Sequence, residues 1–442
     1  MKNILLLILI ITLTAHAKGQ APAWSLQSNI YEVNLRQYTS EGTIKAFQKH
    51  LPRLKKMGVE ILWFMPITPI GIEGRKMNEK ELGSYYAVRN YRQVNEEYGT
   101  MADWKAFVKT AHSMGFKVIT DWVANHSSPD NPWTKNHPGF YVKDSTGKMV
   151  AQYDWTDTRK LDFKSRELRD SMIDAMKFWI TETGIDGYRC DIAGEVPNDF
   201  WKECITALKK VKDVYMLAEG ESPGLHEAGF NTTYGWTLFH AMTDLYAGKK
   251  SVRQFDSLIN KNIADYPAAA SRLFFTTNHD ENSWNGTEYE KFGAAYKTFA
   301  VLTQTLYQSM PLVYSGQELP NKKRLKFFVK DSIAWTRNPA LAPFYSTLLH
   351  LRRKNPALAS GAAYTKVKTG NEANIFAFTR SAGKNKVLII LNLSAKSQDF
   401  SIPANLITGN MTEVFSSKNH TTAGLKKSTI PAWSYLVYST IR

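Results

Sequence analysis

Four acidic residues at the ends of apolar runs are the first sign of chemistry in this chain. Asp121 lies in "DWVANH", Asp191 in "GYRCDIAGE", Glu219 in "YMLAEG" and Asp280 in "TTNHDEN". Arg189 precedes Asp191 by two residues, so in a strand both side chains face the same way. His126 and His279 fall in two of the same runs. A structural ion pair or cap would account for any one of these acids. Four of them facing one mouth are better explained by a reaction. Crowded carboxyls push one another's pKa values apart, leaving one protonated and another ionised. Cleavage of a glycosidic bond needs that pair, one carboxylate at the anomeric carbon and one acid on the leaving oxygen. Arg189 is placed to keep Asp191 ionised. Glu219, with no cation adjacent in sequence, suits the proton donor, and Asp280 would orient hydroxyls of a distorted sugar. A His–Asp–Glu metal centre is the rival reading, but no HExxH or other compact ligand spacing is present.

These acids need a scaffold that gathers several strand ends. "IKAFQKHLPRLKKMGVEILWFMP" carries Ile44, Phe47, Leu51, Leu54 and Met57 at helical spacing, then Gly58 and an apolar strand. Segments beginning at Met101 and Leu168 repeat this order, with Gly115 and Gly184 as the breaks. Helices alternating with continuously apolar strands imply a parallel sheet buried on both faces. Seven strands are visible, and an eighth is expected near residues 227–232. Eight such units close a (β/α)8 TIM barrel, whose chemistry sits at the C-terminal ends of its strands. An open dinucleotide-binding sheet is disfavoured, because no glycine-rich fingerprint follows the first strand.

Residues 127–160 break the rhythm with a polar, aromatic, turn-rich stretch too long for a simple connection. They are expected to form a small inserted subdomain after the third strand, with the barrel spanning 18–126 and 161–355. From residue 356 to 442 the pattern turns to short strands and predicts an antiparallel β-sandwich. Gly187, two residues before Arg189, is expected to leave room inside the barrel. Tyr188 and Cys190 should point outward to the helices.

Of the 442 residues, 43% are hydrophobic and 12% aromatic, with twelve tryptophans. Flat rings suit the apolar face of a sugar, and Trp133, Trp155 and Trp284 are candidates to extend a sugar cleft. The net charge is +16, but the basic residues are scattered among acids, which argues against nucleic acid as a partner. Cys190 and Cys204 are expected to be free, packed thiols. Residues 1–17 read as a signal peptide: a lysine, an apolar run, then Ala15-His16-Ala17. The run is short for a retained anchor, and no later segment is apolar enough to cross a membrane. The mature protein is therefore expected to be exported, to the periplasm or beyond, as a monomer without a membrane span.

The four motifs together resemble those of the α-amylase family of retaining glycoside hydrolases, and the likeness covers nearly the whole mature chain. The resemblance implies that Asp191 is the nucleophile, Glu219 the acid/base and Asp280 the transition-state stabiliser. It implies that Tyr86, Asp121, His126, Arg189 and His279 serve the subsite of the attacked sugar, with Tyr86 stacking on it. The substrate implied is a starch-like α-1,4-glucan or malto-oligosaccharide. A glucanotransferase or α-glucosidase using the same covalent intermediate is the alternative, and an inactive sugar-binding barrel a remote one. Departures from the family pattern are informative. Asn90 replaces a frequent aspartate. Asn125 matches a position that often ligates structural calcium, yet Lys160 stands where a calcium-binding aspartate is expected, so an ammonium bonded to Asn125 would replace the ion. No cofactor is expected to be required. Ala193-Gly194-Glu195 replaces a lysine–histidine pair on the leaving-group side.

Overall fold

The computed structural model describes residues 21–75, 81–403, 406, 411–416, 425 and 427–441. The proposed signal peptide lies outside them. Eight parallel strands close a barrel: β1 (Ile30–Val33), β2 (Ile61–Phe64), β3 (Lys117–Trp122), β4 (Gly187–Cys190), β5 (Tyr215–Ala218), β6 (Thr232–Tyr234), β7 (Ser271–Phe274) and β8 (Ser309–Tyr314). Each pairs with its sequence neighbours, and β8 returns to β1. Every residue of β1, β2, β4 and β5 is buried, as strands covered by helices outside and side chains inside must be. The eighth unit differs from expectation. Pro223–Glu227 is a short helix, and β6 begins at Thr232, a three-residue Thr-Thr-Tyr strand with little apolar signature.

The glycine breaks act as read: Gly58 and Gly184 end helices in the left-handed conformation at φ 99° and 77°. The helix expected from Ile44 to Met57 is two, Ile44–Gln48 and Leu51–Met57. Pro52 explains the break, since its ring lacks an N–H and would clash with the carbonyl of Gln48.

Gly187 is needed for a different reason from the one expected. A Cβ there would lie 1.9 Å from the carbonyl oxygen of Tyr215 on β5, so the glycine admits the neighbouring strand's backbone rather than opening the interior. Tyr188 does point outward, its hydroxyl donating to the Met176 carbonyl on helix Arg166–Thr183 at 2.5 Å. Cys190 and Cys204 are free and buried.

After β3 the chain forms a two-residue antiparallel pairing of His126–Ser127 with Arg159–Lys160 around an irregular loop. The C-terminal region carries a five-stranded sheet, including Ile375–Ala382 and Asn385–Asn392, and a two-stranded one. Alternation splits the large sheet's faces. Ile375, Ala377, Leu388 and Ile390 pack on Phe400 and Ile430 of the small sheet, while Phe376, Phe378, Val387 and Ile389 join the barrel's core. The buried Arg380 joins the two units, donating to the carbonyls of Thr305, Leu306, Ala359 and Ala362.

Candidate active site

Strand register sets the site. Asp121 on β3 lies directly beside Arg189 on β4. Asp191 and Glu219 follow the last residues of β4 and β5, and His279 and Asp280 follow β7. Arg189 is wholly buried at the centre. One terminal nitrogen, Nη1, donates to Asp121 at 2.9 Å and to Asp191 at 2.8 Å. The other, Nη2, lies 2.9 Å from Glu219 Oε2, an ion pair without hydrogen-bond geometry. Glu219 therefore has the cation in space that it lacks in sequence. The same oxygen of Glu219 accepts the Ile192 N–H at 2.7 Å. Ile192 holds φ 33°, a left-handed conformation that is costly for a β-branched residue. That strain aims the donor at the acid.

Burial dominates the electrostatics. It raises the pKa of Asp191, Glu219 and Asp280, against the pull of nearby cations: Arg189 on Asp191 and Glu219, His279 on Asp280. Asp121, deeper still, is pushed up to about 7 by burial despite its ion pair with Arg189. Acids outnumber cations here, so at least one carboxyl keeps a proton near neutrality.

A second chain of contacts begins at Glu32, in the middle of β1. Its Oε1 accepts from Nδ1 of His279. Nε2 of His279 faces the Tyr86 hydroxyl at 2.7 Å, which reaches Asp121 Oδ2 at 3.3 Å. Burial opposes a charged ring, but the Asp280 and Glu32 carboxylates win and lift His279 to about 9. With both ring nitrogens protonated, Tyr86 accepts from His279 and donates to Asp121.

These groups underlie a cleft of about 350 Å³ lined by Tyr86, His126, Asp191, Glu219 and Asp280 together with aromatic side chains. Tyr86 is half-buried at its surface, and His126, itself fully buried, lines its wall. Asp121, Arg189 and His279 stand behind it, almost fully buried, and act through the residues in front. Burial lowers His126 to about 3, so its ring is neutral, and its Nε2 has no protein partner. Trp155 packs edge-on to His126 at 5.5 Å. Trp155 and Trp284 line the cleft; Trp133 does not, stacking instead on Tyr91 at 4.8 Å. Asn90 is also elsewhere, accepting the Arg92 N–H in a turn. A further cavity, of about 230 Å³, lies between helix Ala342–Lys354 and Thr412–Val414, remote from the acids of the barrel mouth.

Asn125 is buried, with its amide nitrogen 3.3 Å from His126 Nδ1. The expected bond from the Lys160 ammonium to Asn125 is not among the hydrogen bonds of the described residues; Lys160 meets this region through its backbone, beside His126. Among the described residues no group of three or more His, Cys, Asp or Glu side chains is arranged to hold a metal ion.

The model of the α-amylase catalytic domain matches residues 23–155 and 140–338. The chain belongs to the α-amylase family. The C-terminal domain model of maltogenic amylase matches residues 364–437 of this family member. It is 25% identical over 437 residues to the α-amylase MalA of Haloarcula japonica, covering 95% of this chain but 62% of that longer protein. Among solved structures, the noncanonic maltogenic α-amylase AmyB of Thermotoga neapolitana superposes with a TM-score of 0.82 at 28% identity, covering 93% and 98% of the two chains. An α-amylase of Lactobacillus plantarum gives 0.83 at 27%, covering 94% and 99%. Within this α-amylase-family site, sequence reasoning missed Glu32. Its signal was present: a lone carboxylate inside the apolar run "IYEVNL" must be paired or functional.

Proposed function

We propose that the protein is a retaining glycoside hydrolase that cleaves α-1,4-glucosidic bonds of starch-like glucans or malto-oligosaccharides. The observation that carries this is the Arg189 bridge, which holds Asp191 at 2.8 Å and Glu219 at 2.9 Å on the two terminal nitrogens of one guanidinium. A guanidinium is short, so the two carboxyls are close neighbours, as a retaining pair must be. Asp191 attacks the anomeric carbon while Glu219, whose pKa burial raises, gives its proton to the departing oxygen. The glycosidic bond breaks and a glycosyl ester forms on Asp191. Glu219 then takes a proton from water, which attacks the same carbon and displaces Asp191, leaving the sugar in its original α configuration. Asp280, 32% exposed at its side chain, binds hydroxyls of the distorted ring. Tyr86 stacks on that ring, and the unpaired Nε2 of His126 meets one of its hydroxyls.

Proton NMR of the first product from maltoheptaose tests the reaction. The α anomer and smaller oligomers are expected. The β anomer would refute retention, and larger oligomers would show transfer to sugar instead. We further propose that no calcium is needed, on the strength of Lys160 beside the Asn125 segment. A chelator should leave the melting temperature unchanged, and a fall would overturn this. Export is proposed from residues 1–17, and N-terminal sequencing of secreted protein should begin near Lys18.

A further inference from the structure

We propose that Arg272, on the strand that leads to Asp280, is a positioning residue for Glu219, holding the acid in place along two paths, through Glu221 and through Tyr234. This rests on the hydrolase reading above. Glu219 needs such support. Arg189 gives it charge without hydrogen-bond geometry, so its carboxyl is aimed by the Ile192 N–H and by its own backbone. Strand register brings Arg272 within reach. Arg272 on β7 pairs with Thr233 on β6, and Thr233 pairs with Ala218 on β5, the residue before Glu219. The Arg272 side chain is wholly buried and does not line the cleft, so it acts through other residues.

The first path runs through the backbone just beyond the acid. Nη2 of Arg272 donates to Oε1 of Glu221 at 2.5 Å. Oε2 of Glu221 accepts the Thr237 N–H at 2.9 Å and its hydroxyl at 2.6 Å. Thr237 is the second residue of helix Trp236–Tyr246, whose cap residue, Gly235, has no side chain to offer the free N–H groups of the first turn. Glu221 caps that helix from outside, an anion at its positive end. The Glu221 carbonyl accepts the Tyr266 hydroxyl, and the Tyr266 ring lies 3.6 Å from the Arg272 guanidinium carbon. Glu221 is thus fixed at three oxygens, two residues after Glu219. Its side chain is only 24% exposed, so water does not loosen the pair as it does a surface salt bridge.

The second path runs through the cation beside the acid. Nε and Nη2 of Arg272 both donate to the Tyr234 carbonyl, at 3.2 and 2.5 Å. The Tyr234 hydroxyl accepts from Nε of Arg189 at 3.3 Å, and Nη2 of that same guanidinium faces Glu219. One buried arginine therefore sets both the chain that carries the acid and the charge next to it. Arg380 shows the contrast: it too is buried, but it donates to four carbonyls that join two domains and to no acid.

The test separates the work of the acid from that of the nucleophile. Maltoheptaose loses a sugar hydroxyl, which must be protonated as it departs, whereas α-maltotriosyl fluoride loses fluoride, a weak base that leaves with little help. In Arg272→Met, kcat/KM for maltoheptaose should fall about tenfold further than for the fluoride, a part of the roughly 10²- to 10⁴-fold that a well-placed general acid supplies. Glu221→Gln breaks one path and leaves the arginine its carbonyl. It should show the same bias at about threefold, and it decides the question if Arg272→Met does not fold. Azide gives a second readout, because it attacks the glycosyl-enzyme without a base. It should raise kcat on the fluoride more in the variants than in wild type, with the glycosyl azide as product. Equal losses on both substrates, or no loss, would overturn the proposal and leave the hydrolase reading intact. A bias without azide stimulation would place the defect in binding of the leaving sugar and would overturn it too. A wild type that turns over neither substrate would overturn both.

Discussion

The two ends of strand β4 carry aspartates in opposite circumstances. Asp186, just before the strand at the bottom of the barrel, is met by cations and donors: His112 Nε2 at 2.7 Å, Lys212 at 2.9 Å and the Val118 N–H at 2.9 Å. Burial pushes its pKa up, but these partners outweigh it and hold Asp186 at about 2. Asp191, just after the strand at the top, shares Arg189 with Asp121 and Glu219 and faces Asp280, and its pKa is raised. One end satisfies its charge and the other leaves it in excess. In a barrel of this kind the bottom holds the fold together and the top does chemistry, and the surplus of acid is what gives the top a proton to move.

The sharpest way to break this contrast is to neutralise each aspartate in turn. Asp191→Asn should lower kcat on maltoheptaose by about 10⁴-fold or more, since it removes the proposed nucleophile. Its melting temperature should be held or raised, because a buried carboxylate with a raised pKa costs stability at neutral pH. A surviving kcat would refute the assignment. Asp186→Asn should do the reverse, losing about 2 kcal/mol by urea unfolding at pH 7 with kcat at 25 °C unchanged. The sign follows from the lowered pKa. The stabilisation is present above about pH 4 and is lost as pH falls towards 2, so the gap between wild type and variant should close at low pH. A gap that stays constant would contradict the pairing.

Glu32→Gln gives a smaller effect and probes how the top is ordered. Removing one of the two anions around His279 lowers its pKa from about 9. The neutral ring then takes over at lower pH, so the His279 ring resonances, followed by NMR, should titrate at lower pH than in wild type. An unshifted titration would show that Glu32 does not set the charge of His279.

The same contrast explains what could be read from the sequence. The barrel was legible because helices of 3.6-residue periodicity alternate with fully apolar strands, and "GYRCD" placed Arg189 and Asp191 on one face. Strand β6 was harder because Thr232, Thr233 and Tyr234 owe their burial to neighbours, not to their own hydrophobicity. The break at Pro52 was available from residue type alone. Depth was not. Asp121 and Arg189 look like surface ligands in sequence, and only the β3–β4 register shows that they stand behind Asp191 and Tyr86. Glu32 is separated from His279 by 247 positions, so no local pattern could join them. The reason for Gly187 lay in the backbone of β5, which spacing along β4 does not encode.

The central claim is that Asp191 forms a bond to the sugar while Glu219 manages the proton. Trapping tests it most directly. A fluorinated α-glucosyl fluoride, which forms the intermediate faster than it releases it, is incubated with the enzyme, and the labelled peptide is located by mass spectrometry. The expected result is one added sugar on the peptide carrying Asp191, formed in wild type and absent from Asp191→Asn. A sugar attached to Glu219 or Asp280, or turnover with inversion and no adduct, would contradict the account.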